Sequence, residues 1–176
     1  MKTIALFGGS FDPPHTGHIA IVKALKRLNY IDNVVVMPTY LNPFKSKSAA
    51  NATLRLKWLK EIFRGDKKVI IDDFEVKQNR SVSTIETVLH LLTHYKKVYL
   101  VIGADNLASL ERWNRFDELK EIVTFIVATR DEIEIEARFI KIEVNETISS
   151  SALRDVLDVS RLPSVCKDEI LKVYKD

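Results

Sequence analysis

Apolar residues in this chain fall into short continuous runs, and between the runs they recur at helical spacing. Thr3 to Phe7 (Thr-Ile-Ala-Leu-Phe) is apolar without alternation, which predicts a strand buried on both faces. Over Thr16 to Leu28 the pattern switches, and Ile21, Val22, Leu25 and Leu28 form the apolar stripe of a helix. Val34 to Met37, closed by Pro38, predicts a second strand, and Tyr40 to Ala50 reads as a loop. Leu54, Trp58 and Ile62 share one side of a helix over Leu54 to Phe63, ended by Gly65, and Lys68 to Ile71 is a third strand.

The second half repeats the alternation. After the polar turn Gln78-Asn79-Arg80-Ser81, a helix places Ile85, Val88, Leu89 and Leu92 at i, i+3, i+4 and i+7. Val98 to Ile102 is a fourth strand broken by Gly103. Asp117 to Lys120 predicts a short helix, Ile122 to Ala128 a fifth strand and Phe139 to Val144 one more. Ser149 to Val156 and Ser164 to Val173 read as closing helices, each opened by a serine at the cap. Strands alternating with helices give an α/β fold, a doubly wound parallel sheet with helices on both faces and a short C-terminal helical segment. With no linker or repeat, residues 1–176 read as a single domain. Ligands of such sheets sit beyond the carboxyl ends of the strands, where the winding reverses.

Composition narrows the classes. Apolar residues at 46% and charged residues at 29% exclude a disordered chain, and no apolar run reaches the ~18–20 residues that span a bilayer. The net charge of +3 is scattered, so neither a nucleic-acid polymer nor a membrane is expected as partner. Cys166 is the only cysteine, which excludes an intrachain disulfide and suits a reducing cytoplasm. The chain has five glycines, and three of them, Gly8, Gly9 and Gly17, lie close together. That clustering marks backbone that must approach a ligand or take positive φ. Gly65 alone has an ordinary turn context.

The candidate chemistry starts at Gly8-Gly9-Ser10-Phe11-Asp12-Pro13-Pro14-His15-Thr16-Gly17-His18, between the first strand and the first helix. A diglycine admits a phosphate, a helix N-terminus favours anions, and two imidazoles three residues apart suit phosphate oxygens as donors or partial cations. This run resembles the His-x-Gly-His signature of the nucleotidyltransferase superfamily, in the version of the bacterial nicotinate-nucleotide adenylyltransferases. The resemblance extends along essentially the whole chain and implies a Rossmann-like sheet.

Further segments carry it. Asn42-Pro43-Phe44-Lys45 offers a lysine that can reach a polyphosphate, with Phe44 where the family has a histidine. Val82-Ser83-Thr84-Ile85-Glu86-Thr87 resembles the family unit that holds the nicotinate nucleotide, with Val82 and Ser83 replacing serine and tyrosine. Gly103-Ala104-Asp105-Asn106-Leu107, with Trp113 beyond, places a carboxylate for ribose hydroxyls or hydrated Mg2+ and matches the family tryptophan that stacks on the pyridine ring. Ile148-Ser149-Ser150-Ser151-Ala152-Leu153-Arg154 resembles the family's Ile-Ser-Ser-Thr-x-Ile-Arg motif, whose serines and arginine suit an anion.

The resemblance implies transfer of the adenylyl group of ATP to nicotinate mononucleotide, with Mg2+ carried by the phosphates and no direct protein ligand. His15, His18, Lys45 and Arg154 would carry the reaction. Gly8, Gly9, Ser10, Phe11, Gly103, Asp105, Ile148, Ser149 and Ser151 would lie around ATP, and Asn42, Thr84 and Trp113 around the acceptor. No nucleophile elbow or Walker pattern is present, so direct in-line attack without a covalent intermediate is expected. The alternatives are another acceptor, nicotinamide mononucleotide or phosphopantetheine, and a nucleotide sensor without catalysis. The pantetheine-phosphate adenylyltransferases share the first motif but lack the pattern of Gly103, Asp105, Leu107 and Trp113.

Overall fold

The computed structural model describes residues 1–40, 50–130, 133–144, 150–155 and 157–174. Six strands form one all-parallel sheet: β1 (Thr3–Gly9), β2 (Asn33–Pro38), β3 (Val69–Ile71), β4 (Lys97–Gly103), β5 (Val123–Ala128) and β6 (Ile140–Ile142). Their order is β3-β2-β1-β4-β5-β6, the doubly wound arrangement expected from the alternation. The helices are α1 (Thr16–Lys26), α2 (Ala52–Ile62), α3 (Phe74–Lys77), α4 (Thr84–Leu91), α5 (Phe116–Ile122), α6 (Ser150–Asp155) and α7 (Lys167–Tyr174). Among the described residues no helix is long and apolar enough to cross a membrane.

The unbroken apolar runs are explained by burial on both faces. In β1, Ile4 and Leu6 join one core, while Ala5 and Phe7 join the other. In β2, Val35 and Met37 alternate with Val34 and Val36 in the same way. The first core continues into α4 and α5 through Ile85, Val88, Leu91 and Leu119, and the second into α1 and α2 through Val22, Leu25 and Leu59. A third cluster joins Trp58 of α2 to Leu153, Leu162, Cys166 and Ile170, so the C-terminal helices pack beside α2.

The crevice follows from the register. β1 pairs with β2 as far as Gly9 opposite Pro38, whereas its pairing with β4 ends at Phe7 opposite Val101. Ile102 and Gly103 go on with β5 instead, opposite Val127 and Ala128. The two half-sheets therefore part at the carboxyl ends of β1 and β4, at the point where the winding reverses.

Several local expectations differ from the structure. Gly65 (φ +80) is the only glycine at positive φ among the described residues, while Phe11 (φ 49), a non-glycine, takes the left-handed conformation inside the glycine-rich loop. Ser164 does not cap a helix by its side chain: it opens a short 3-10 turn behind Pro163, and α7 follows at Lys167. Three elements were not expected, the four-residue α3 and 3-10 helices over Ala104–Arg112 and Val159–Arg161.

Candidate active site

The loop leaving β1 turns at Phe11 and crosses a cis Asp12–Pro13 bond before entering α1 at His15. The helix N-cap is a histidine. His15 Nδ1 accepts from the Gly17 N–H at 3.0 Å, and His18 Nδ1 accepts from the His15 N–H at 3.1 Å, a reciprocal capping box. The two rings stack with centroids 3.7 Å apart, and Phe11 packs edge-on against His18 at 4.7 Å.

This geometry fixes the chemistry of both imidazoles. A nitrogen that accepts carries no proton, so each neutral ring holds its proton on Nε2. Burial, followed by the fields of Arg130 and Arg161, lowers His15 to about 4. Burial, followed by the facing His15, lowers His18 well below the usual histidine range. Of the two roles open to them, donors or partial cations, the pair takes that of neutral donors at pH 7.

Positive charge comes from arginines. Arg154, in α6, donates through Nη1 to the Asp12 carbonyl, and that nitrogen is 3.9 Å from Asp12 Oδ2. The two ends of the chain thus meet: α6, through Arg154, reaches Asp12 of the loop that leads to the His-x-Gly-His unit. Asp12 is 2% exposed, and its Oδ1 also accepts from the Ala50 N–H at 3.0 Å and from the Tyr174 hydroxyl. Arg130, just past β5, pairs with Asp105 at 3.2 Å. Ser151 lies in α6, while Asn42, Lys45, Ile148 and Ser149 lie outside the described residues.

Beside this corner a cavity of about 650 Å³ opens. Its lining includes Gly8, Gly9, Ser10 and Thr39, and also Thr84, Thr87, Glu75 and Trp113. Thr84 is the first residue of α4, whose N-cap Ser83 makes no side-chain cap bond. Trp113, which lines the cavity, has its Nε1 buried without a hydrogen-bond partner among the described residues. A Cβ on Gly103 would stand 2.6 Å from Asp105 Oδ1, so the missing side chain leaves room for that carboxylate.

Sequence reasoning missed Asp12, Arg55, Glu75, Arg130 and Tyr174. Arg130 had a signal: it follows a strand's carboxyl end, the rule that also located Gly103. Glu75 is 7% exposed and accepts from the Thr87 hydroxyl at 2.8 Å. Burial first, with Glu86 and Asp72 adding, raises its carboxyl to about 7 despite that bond.

Among the described residues no three His, Cys, Asp or Glu side chains group to hold a metal. Asp105, half exposed and paired on one side with Arg130, is the acidic side chain placed to accept from water on a phosphate-bound Mg2+.

The comparisons agree with this geometry. A cytidylyltransferase-like family model matches residues 6–156. A Sulfurimonas denitrificans protein named "Probable nicotinate-nucleotide adenylyltransferase" is 60% identical over 100% of this chain and 97% of its own length. One of the same name from Campylobacter fetus is 46% identical over 98% and 97%. In fold, the chain is similar to a Plasmodium falciparum nicotinic acid mononucleotide adenylyltransferase complexed with NaAD (TM-score 0.81, 23% identity, 98% and 96% of the two chains). With relatives matched from end to end, the chain belongs to the nicotinate-nucleotide adenylyltransferase family of cytidylyltransferase-like proteins.

Proposed function

We propose that the chain transfers the adenylyl group of ATP to nicotinate mononucleotide, giving nicotinate adenine dinucleotide and pyrophosphate, a step of NAD biosynthesis. The observation that carries this reading is the junction of two sites. The loop Gly8–Gly9–Ser10 that leads to the corner of His15, His18 and Arg154 also lines the cavity of Thr84 and Trp113, which supports placing the two substrates side by side. We read residues 1–176 as one nucleotidyltransferase domain around that junction.

An oxygen of the nicotinate mononucleotide phosphate, already deprotonated, attacks the α-phosphorus of ATP. The new P–O bond forms as the bond to the β-phosphate oxygen breaks, and its electron pair leaves with pyrophosphate. No general base is needed. The protein aligns two anions and stabilises charge on the bridging and leaving oxygens.

His18 Nε2–H is the first choice for that oxygen and His15 Nε2–H for a neighbouring one. Arg154 clamps phosphate oxygens from the opposite side, and Lys45 adds a second cation. Gly8, Gly9, Ser10, Phe11, Gly103, Asp105, Ile148, Ser149 and Ser151 surround ATP, and Asn42, Thr84 and Trp113 hold the acceptor. Asp105 would reach Mg2+ through water, and the metal, carried by the triphosphate, would supply neutralisation of phosphate charge. Because the histidines act as neutral donors, protonation of His15 limits turnover only as pH falls toward about 4.

Pyrophosphate release measured with ATP and each of nicotinate mononucleotide, nicotinamide mononucleotide and phosphopantetheine tests the reading. The expected result is the highest kcat/KM with the nicotinate acceptor. A higher value with either other acceptor overturns the choice of acceptor. ATP binding without pyrophosphate release for any of the three overturns the enzyme.

A further inference from the structure

The least expected side chain near the crevice is Arg55. It sits on α2, charged by nature, and is 0% exposed. A buried guanidinium is costly unless its donors are matched, and here they are matched by main-chain carbonyls alone. Nε donates to Ala50 O at 2.9 Å, Nη1 to Ser10 O at 2.6 Å and Thr39 O at 2.9 Å, and Nη2 to Tyr40 O at 2.9 Å. The nearby Asp12 carboxylate opposes the loss of charge that burial favours, and through Oδ1 it accepts from the N–H of the same Ala50.

The four carbonyls come from three segments, and each segment frames the anion corner. Ser10 follows the diglycine and lines the cavity. Thr39, which also lines it, and Tyr40 continue the chain past β2, and Ala50 leads into α2. A residue needed only to fill the core could be apolar, as its neighbours Trp58 and Leu59 are. A planar fork with five fixed donors does something packing cannot: it sets the angles and separations of the backbones it grips.

We propose that Arg55 is a positioning residue for adenylyl transfer, holding the Ser10 loop against the Thr39–Tyr40 and Ala50 backbones so that the imidazole donors meet the reacting phosphate. It acts through these carbonyls and touches no substrate. The proposal rests on the adenylyltransferase reading above.

The test compares Arg55→Lys and Arg55→Ala with the wild type, each assayed well below its own Tm with both substrates varied. Arg55→Lys keeps the charge but offers one nitrogen in place of a fork. Its kcat is expected to fall ~10–100-fold, the scale of a roughly 1 Å misplacement, with KM for the pyridine nucleotide within about twofold. In Arg55→Ala, added ethylguanidinium is expected to restore part of kcat. Two results overturn the proposal: a folded Arg55→Lys enzyme with wild-type kcat, or a loss confined to Tm. If Arg55→Ala does not fold, the Arg55→Lys kinetics decide alone. Absence of pyrophosphate release by the wild type would instead remove the adenylyltransferase reading, so the two failures are distinct.

Discussion

At the anion corner, burial keeps His15 and His18 uncharged by holding protons off; in the adjoining cavity, burial keeps Glu75 uncharged by holding a proton on. The first region is tied together by backbone: two capping N–H groups on the imidazoles, and Asp12 gripped from Ala50, Arg154 and Tyr174. In the second, the buried carboxyl of Glu75 is met by a side-chain bond from Thr87, and Glu75 lines the cavity with Thr84 and Trp113. On the proposed reading, the bonds that fix the imidazoles hold the donors of the first region in place before the substrates arrive, as stabilising a transition state requires. Desolvation is common to both; what differs is which protonation state each site needs.

The largest effect should come from breaking the rigid side. His18→Ala is expected to lower kcat by ~10²–10³, the scale of one lost oxyanion-type donor. Two near-isosteres sharpen this. His18→Gln can present a donor near the Nε2 position, while His18→Asn can replace only the Nδ1 acceptor that holds the cap. Steady-state rates should favour Gln, and thermal stability should favour Asn. A reversed order would make the histidine a cap and nothing more.

The two protonation states have opposite linkage. His15, lowered from 6.5 to about 4, contributes stability that is present above pH 6.5 and is lost as pH falls toward 4. Glu75, raised from 4.5 to about 7, contributes stability that is present below 4.5 and is lost as pH rises toward 7. Each amounts to on the order of 3 kcal/mol at most. Between roughly pH 5 and 6.5 the Glu75 slope opposes those of His15 and His18, both lowered, so wild-type stability should rise with pH there less steeply than the two histidines alone would make it. Glu75→Gln should expose the acid-side loss as a steeper fall in urea midpoint with decreasing pH. An unchanged profile would mean that Glu75 is ionised in the folded protein.

Arg154→Ala should raise KM for ATP and lower kcat, together by about tenfold or more, because a charge-assisted bond is lost from both the ground state and the transition state. Kinetics indistinguishable from wild type would leave Arg154 with the structural bond to Asp12 alone. The smallest effect is expected from Gly103→Ala, where the new Cβ displaces the Asp105 carboxylate from Arg130. That pair is partly exposed, so the loss of stability should stay within about 0.5 kcal/mol in a calorimetric Tm.

What could be read beforehand followed how local the cause was. The strands were legible because residues such as Ile4 and Ala5 must both be apolar when both faces are covered. The His15–His18 spacing was legible because it is set within one turn of helix. The 3-10 helix was missed, although Ala104, Leu107, Leu110 and Trp113 recur every third residue, the repeat of that helix. The four residues of α3 are too short to show any period. Clustered glycines suggested unusual backbone, but Phe11 takes the left-handed conformation there, held by its ring against Phe7 and His18. Arg55 stands in line with the buried Ala52 and Leu59, a cation on an apolar stripe, and that pattern was a usable sign. Of its four carbonyl partners only Ala50 is near in sequence; Ser10, Thr39 and Tyr40 come from other segments, and nothing local could announce them. Glu75 and Thr87 meet only when α3 and α4 pack.

The early divergence of β1 from β4 has a mechanical corollary. Five residue pairs, Thr3–Lys97 to Phe7–Val101, form the lateral joint between a half-sheet that carries the histidines and one that leads to Trp113 and Arg130. A dinucleotide lying across the gap continues that joint where the protein leaves off, as a splint across a seam. Occupancy and cohesion are then one quantity, and the product-bound molecule is the firmer of the two forms by the linkage that governs any ligand preferring the folded state.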